Sequence, residues 1–72
     1  MGTKSGKEVK RIMMKHGWVV KNVEGGHFQM VHPDHPERGK VTVSVHGNKD
    51  LRDDTFANIK RQTGLNFREE DI

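Results

Sequence analysis

The 72-residue chain contains no cysteine, only two prolines and only 31% hydrophobic residues. Without cysteine it has neither a disulfide framework nor a thiolate metal site. No apolar run is long enough to cross a membrane and nothing resembles a signal peptide, so we expect a cytoplasmic protein without a membrane partner. A domain of this size buries only about 60% of the surface of its unfolded chain. We therefore expect any chemistry to take place on an open surface.

Positive charge is concentrated away from the C-terminus. The chain has a formal net charge of +3, but three of its ten acidic residues lie in residues 68–72. Residues 1–67 contain twelve basic and seven acidic residues and so carry +5. We interpret residues 1–67 as one domain and 68–72 as an acidic tail. The excess of lysine and arginine favours contacts with the phosphates of a nucleic acid, and a solvated lysine face is the alternative.

The first predicted helix spans residues 6–16. Ser5 and Glu8 have the spacing of a capping box, in which each side chain accepts a hydrogen bond from the backbone amide of the other residue. An apolar stripe follows at helical spacing, and Gly17 is a natural left-handed end to the helix. The stripe consists of Val9, Ile12, Met13 and His16. The opposite face carries Lys7, Lys10, Arg11 and Lys15.

Three strands are predicted to follow, over residues 18–23, 27–32 and 40–46. In the second strand, Phe28 and Met30 alternate with polar residues and are expected to face the core. The third strand alternates most regularly, which is typical of a sheet with one open face. Its buried face is Val41, Val43 and Val45, and its open face is Thr42, Ser44 and His46.

A second helix is predicted from a cap at Asp53 or Asp54 to Thr63, with Gly64 ending it. Leu65 and Phe67 then fold back onto the core. The order is α-β-β-β-α, an α+β fold with a three-stranded antiparallel sheet. Because the sheet has one apolar face, both helices should pack on that face and leave the other exposed to solvent.

The sequence Gly25-Gly26-His27 is the best candidate for a chemical site. Two adjacent glycines adopt positive φ at little cost, so they predict a tight hairpin and allow another backbone to approach closely. The pattern places His27 on the open face at the start of the second strand. An imidazole gives and takes protons near neutral pH, as general acid-base catalysis requires. A solvated surface histidine is the alternative.

The hairpin between the second and third strands determines what lies beside His27. If the two residue numbers of each cross-strand pair add up to 72 or 73, His27 lies opposite Val45 or His46, and the facing pattern favours His46 with Gln29 beside Ser44. Two adjacent imidazoles can serve as an acid and a base, although a chance cross-strand pair would look the same. The five histidines lack regular metal-ligand spacing, so no metal or other cofactor is expected.

These features together resemble the HicA family of bacterial toxins over nearly the full length. The resemblance is carried by a basic helix ending in Lys15-His16-Gly17-Trp18, by Gly25-Gly26-His27, by His32-Pro33-Asp34, by Val41–His46 and by residues 51–65. The family consists of small ribonucleases with a fold similar to double-stranded RNA-binding domains. In the family the histidine after the glycine is catalytic, which implies this role for His27. Gly26 stands where the family often has serine, and Phe28 where a second histidine sometimes occurs.

The resemblance implies metal-independent cleavage of messenger RNA, arrest of translation and neutralisation by a HicB-type antitoxin. His27 would act as base or acid, with His46 or Lys49 as the second proton donor. The residues expected to hold the RNA backbone are Lys7, Lys10, Arg11, Lys15, Lys21 and Lys49. A non-catalytic RNA-binding module of the same fold is the alternative. A protein-interaction domain without RNA binding is a third hypothesis.

Overall fold

A computed structural model describes residues 4–68. The elements are α1 (Gly6–Lys15), β1 (Val19–Glu24), β2 (His27–Val31), a short 3-10 helix (Pro36–Arg38), β3 (Val41–Ser44) and α2 (Asp53–Thr63). The strands form one antiparallel sheet in the order β1-β2-β3. The predicted α-β-β-β-α order is confirmed. Within the described part of the chain, neither helix is long and apolar enough to cross a membrane.

Both helices pack on one face of the sheet, as the alternating pattern predicts. Met30, Val41 and Val43 project from that face and are fully buried. The helices cover them with the apolar stripes of α1 and α2, and Trp18, Leu51 and Phe67 complete the core. The helix residues in this layer are Val9, Ile12, Met13, Phe56 and Ile59. The opposite face of the sheet is left open, because the polar side chains of β2 and β3 alternate with the buried ones.

The start of α1 depends on a very close contact with β3. Ser5 is the N-cap, and its Oγ accepts a hydrogen bond from the Glu8 amide at 3.2 Å. The other predicted hydrogen bond of the capping box, from the Ser5 amide to the Glu8 carboxylate, is wrong. That carboxylate pairs with the Arg11 guanidinium instead. Gly6 lies so close to Ser44 that a Cβ built on it would be 1.8 Å from the Ser44 carbonyl oxygen. Only glycine fits at this position.

The second helix begins differently from the prediction and ends as predicted. Its N-cap is Arg52, whose side chain makes no capping bond, so neither aspartate is the cap. Asp53 and Asp54 lie in the first turn instead, where negative charge is favoured by the helix dipole. Gly64 ends the helix in the left-handed conformation, and Phe67 then folds back with 1% of its surface exposed. The acidic tail prediction falls largely outside the described residues.

The first two strands form a hairpin with an irregular outer strand. Val20 pairs with Met30 and Asn22 with Gln29, so Lys21 is an extra residue that forms a bulge in β1. The bulge reverses the alternation at this point. Val23 therefore lies on the helix-facing side near Phe28, while Val19 pairs with Val31 on the open face.

The register between β2 and β3 corrects the prediction. His27 pairs with Ser44 and Gln29 with Thr42, so the paired residue numbers add up to 71 and not to 72 or 73. A shift of two residues leaves every side chain on its predicted face, so the hydrophobic pattern cannot distinguish a sum of 71 from 73. The connection through the 3-10 helix (Pro36–Arg38) sets the observed register.

His32 joins the end of α1 to the loop after β2. Its Nδ1 accepts a hydrogen bond from the Asp34 amide at 3.2 Å, so Nε2 carries the ring proton. Nε2 donates to the carbonyl oxygen of His16, 2.9 Å away. The ring also packs edge-on against Trp18, with 5.5 Å between centroids. His32, which was predicted to end the second strand, lies just beyond β2 and has a structural role there.

The Gly6 contact generates a stability prediction. Gly6→Ala gains up to about 1 kcal/mol of helix propensity. It must nevertheless push α1 away from the β3 backbone, and overpacking of this kind costs about 1–3 kcal/mol. We expect a net decrease in the free energy of unfolding, measured by urea denaturation.

Lys7→Ala is the matched control, since it also introduces alanine into the first turn but at an exposed position. It should change the free energy of unfolding by no more than about 0.5 kcal/mol. If Gly6→Ala is as stable as Lys7→Ala, the helix start does not depend on this contact.

Candidate active site

A two-residue turn positions His27. Gly25 and Gly26 both have positive φ, 57° and 81°, which is the pattern of a type I′ hairpin turn. Glu24 and His27 close the turn as a cross-strand pair. Because both central residues are glycines, the reversal is strain-free, and the absence of a side chain at Gly26 leaves room for the His46 ring beside it. The His27 side chain is exposed at this end of the sheet.

His27 and His46 come together on the open face. Their rings lie edge to face, with 6.0 Å between centroids and 82° between planes. The pairing of β2 with β3 continues past the strand ends, because the Val45 amide donates to the Gly26 carbonyl at 2.8 Å. His46 follows Ser44 by two residues and so lies on the same face, diagonal to His27. The predicted neighbourhood of the two imidazoles is therefore observed, although the register that led to it is wrong.

Two further polar side chains lie beside His27 that the sequence analysis did not assign to the site. Glu24 is its partner on β1 and Ser44 its partner on β3. The side chains of directly paired residues have Cβ atoms about 4.5–5.5 Å apart on the same face. Glu24 was recognisable, because a two-residue Gly-Gly hairpin necessarily pairs the residues on either side. Ser44 depended on the register and was not.

Three basic residues of α1 lie near this end of the sheet. Lys7 and Arg11 line one groove with Asn48, which lies in the segment after His46. Lys10 places its Nζ 4.8 Å from the centroid of the Phe28 ring. The Arg11 guanidinium pairs with Glu8, which offsets part of its charge. Lys10 therefore lies on the helix-covered side of the sheet, since the Phe28 side chain packs against the core.

The remaining basic candidates are placed differently. Lys49 lines a pocket together with His46. Lys15 ends α1, about 12 Å along the helix axis from Lys7 at 1.5 Å per residue. Lys21 lies in a groove with His32 and Lys40 at the opposite end of the sheet. Lys49 therefore lies beside His46, while Lys7, Lys10 and Arg11 lie together on the first half of α1. Lys15 lies farther along the helix, and Lys21 lies at the opposite end of the sheet.

The other histidines form a separate group. The rings of His32 and His35 lie 4.8 Å apart, and His35 pairs with Glu37 at 3.2 Å. Among residues 4–68, no three histidine, cysteine, aspartate or glutamate side chains are arranged to hold a metal ion. This second group is in the loop at the far end of β2, away from His27.

The open face thus presents two neighbouring imidazoles with a carboxylate and a hydroxyl beside them. Such a set can remove a proton from one oxygen and deliver a proton to another without any conformational change of the backbone. The cations of α1 and Lys49 supply positive charge for a phosphate at the same end of the molecule. The arrangement suits a polyanionic substrate that approaches from solvent.

Comparison with known proteins identifies the family of the chain. No sequence among the curated proteins matches the chain. The family model of the HicA toxin of bacterial toxin-antitoxin systems matches residues 6–65, which include both helices, all three strands and the histidine pair. The chain therefore belongs to the HicA toxin family.

Proposed function

We propose that this toxin is an endoribonuclease that cleaves messenger RNA by acid-base catalysis with His27 and so arrests translation in the cytoplasm. The observation that carries the proposal is the exposed pair of His27 and His46 on the open face of a HicA-family chain. Lys49 beside His46 and the further cations of α1 fit a phosphodiester substrate.

RNA supplies its own nucleophile, the 2′-hydroxyl next to the phosphate. A base removes the proton of that hydroxyl while its oxygen forms a bond to phosphorus. The bond from phosphorus to the 5′-oxygen of the next nucleotide breaks, and an acid protonates that oxygen. The products are a 2′,3′-cyclic phosphate and a free 5′-hydroxyl, so neither water nor an oxidant is consumed in this step.

Proton transfer needs two groups, and the open face provides them. His27 acts as one, and His46 is the nearest candidate for the other, with Lys49 as a further possible donor. Glu24 can accept a hydrogen bond from a His27 ring nitrogen and orient the imidazole, as carboxylates commonly do for catalytic histidines. Lys7, Lys10, Arg11 and Lys49 bind phosphates, and Lys15 and Lys21 extend the track for a longer RNA.

A non-catalytic RNA-binding module is the second candidate. It is favoured by the fold, which double-stranded RNA-binding domains share, and by the basic edge of α1. This edge consists of Lys7, Lys10, Arg11 and Lys15. Such a module would bind RNA with strong salt dependence and leave it intact. The same measurements that test cleavage separate these two functions.

We further propose that a HicB-type antitoxin masks the open face. The site has no cover of its own in the described part of the chain, and Val19 exposes 43% of its surface on that same face. A standard interface buries about 800 Å² per partner, roughly a sixth of the 4810 Å² surface of this chain. Acidic groups on the partner would pair with α1 and speed capture of the toxin.

His27→Ala should abolish cleavage without unfolding the protein. General acid-base groups contribute about 10²–10⁴ in rate, and His27 is an exposed side chain whose removal creates no cavity. The rate is measured on a fluorescent RNA oligonucleotide, and on the same oligonucleotide with 2′-deoxy sugars as a chemical control. Thermal unfolding verifies the fold.

His35→Ala is the matched variant, because it removes an exposed imidazole at the other end of the sheet. It should cleave RNA at the wild-type rate. Undiminished cleavage by folded His27→Ala, or cleavage of the 2′-deoxy oligonucleotide, would contradict the mechanism.

The basic edge of α1 should determine the salt dependence of RNA binding. Each phosphate neutralised on a single strand contributes about −0.7 to the slope of log affinity against log salt. Lys10→Gln/Arg11→Gln, made in the His27→Ala background to prevent cleavage, should flatten the slope by about 1.4 units. Fluorescence anisotropy at several salt concentrations measures it.

The second helix offers a closely matched control. Lys60 lies over Phe56 at 4.8 Å, as Lys10 lies over Phe28, and Arg61 bonds to Asn58 three residues earlier, as Arg11 does to Glu8. Lys60→Gln/Arg61→Gln removes the same charge and should leave the slope unchanged. Equal slopes for the two double variants would place the RNA elsewhere.

Antitoxin binding should protect two histidines selectively. Diethyl pyrocarbonate modifies accessible imidazoles, and His27, His46 and His35 are all exposed in the free chain. In the complex with its co-expressed antitoxin, modification of His27 and His46 should fall strongly while His35 still reacts. Mass spectrometry of the peptides measures this. A tight, inactive complex in which His27 reacts as in the free toxin would show that inhibition is indirect.

A further inference from the structure

A pocket of about 260 Å³ lies directly beside the histidine pair. His46 and Ser44 form one wall, and the segment from Lys49 to Arg52 with Thr55 of α2 forms the rest. Leu51 belongs to the core and exposes only 8% of its surface, so it gives the pocket an apolar floor. The pocket is slightly smaller than the usual range for small-molecule sites, which begins near about 300 Å³. Its size suits one nucleoside.

The polar groups around this pocket are of three kinds. Lys49 and Arg52 are cations, and the Arg52 side chain is 85% exposed and lies 3.5 Å from the Asp54 carboxylate in an exposed ion pair that a ligand anion can replace. Ser44 and Thr55 provide hydroxyls, which both donate and accept hydrogen bonds. Asp50 provides a carboxylate, which is an acceptor only. A ligand with an anionic group, an apolar ring and a hydrogen-bond donor matches all three.

We propose that this pocket binds the nucleotide adjacent to the cleaved phosphodiester and reads its base. This inference rests on the ribonuclease function proposed above and specifies which part of the RNA the pocket binds. The base packs on Leu51, while Lys49 and Arg52 contact the phosphate on its outer side. His46 belongs both to this pocket and to the histidine pair, so a nucleotide seated here holds its phosphodiester against the acid-base groups.

Asp50 gives the pocket a preference among bases. A carboxylate beside a phosphate is repulsive, so Asp50 faces the base and accepts a hydrogen bond from an exocyclic amino group. Adenine, guanine and cytosine have such a group and uracil does not. A discrimination of about tenfold is typical of one well-placed contact to a base edge. The pocket therefore disfavours uracil at this position of the RNA.

Binding is tested with the four nucleoside 5′-monophosphates on His27→Ala, in which cleavage cannot complicate the result. Backbone amide NMR shifts of residues 44–55 should move with AMP, GMP and CMP and less with UMP. Lys49→Gln should weaken binding about two- to fivefold, as expected for an exposed ion pair. Lys40→Gln, which removes the same charge at the other end of β3, should bind as the parent does. Shifts confined to other residues would overturn the assignment.

The sequence preference of cleavage tests the base preference of the pocket independently of mononucleotide binding. Sequencing the ends produced from a random RNA library by the wild type should show depletion of uracil at one position beside the cut. Asp50→Asn replaces the acceptor-only carboxylate with an amide that also donates, so the depletion should disappear. An unchanged base preference in Asp50→Asn would also overturn the proposal.

The two measurements distinguish failure of the pocket from failure of the ribonuclease function. Cleavage by the wild type with no mononucleotide shifts at residues 44–55 would leave the nuclease standing and remove the pocket. Mononucleotide binding in the pocket with no cleavage of any RNA would retain the nucleotide site and remove the nuclease.

Discussion

Burial of Met30, Val41 and Val43 beneath the two helices is the interaction on which the rest of the structure depends. Successive side chains of a strand point to opposite faces of the sheet. Burial of these three therefore places the side chains of their neighbours in β2 and β3 on the solvent-exposed face. At about 25 cal/mol per Å² of apolar surface, no single surface contact competes with this layer. The chain has enough apolar residues for one such layer, and the second face of the sheet is consequently open.

The candidate site uses that open face and needs no cleft. His27 follows a turn of two glycines, and the backbone bond from Val45 to Gly26 ties the turn to the next strand. Main-chain geometry therefore fixes the backbone positions from which the two imidazoles project. A polymer such as RNA can itself shield a surface site of this kind from solvent, because the bound strand extends over the protein on both sides of the reacting phosphate.

Local patterns in the sequence predicted most of the elements, since each depends on residues close together in the chain. The valine alternation placed the faces of β3, and Gly17, Gly64 and the Gly25-Gly26 pair marked the ends and the turn. What failed depended on contacts that the pattern within a single element does not specify. The register between β2 and β3 is set by a nine-residue connection, and Glu8 had Arg11 as a competing partner.

The site itself was predicted in part. His27 and His46 were recognised because the face of each follows from period-two alternation, which survives a shift of two residues. The pocket beside His46 was not recognisable, because the segment 47–52 has no periodic pattern and its position depends on how α2 packs. Lys49 was expected to act with His46 and lines the same pocket, whereas the place of Lys21 beside His32 and Lys40 depends on the loop after β2 and was not recognisable.

The bulge at Lys21 has a consequence for the outer edge of the sheet. A regular edge strand offers a row of unpaired amides and carbonyls to which another strand can add, and natural proteins commonly interrupt such edges with bulges and lysines. In β1 the bulge and the lysine coincide. An incoming strand would lose its register at this residue and would have to desolvate an ammonium group. The outer edge of β1 is thereby protected against aggregation by strand addition.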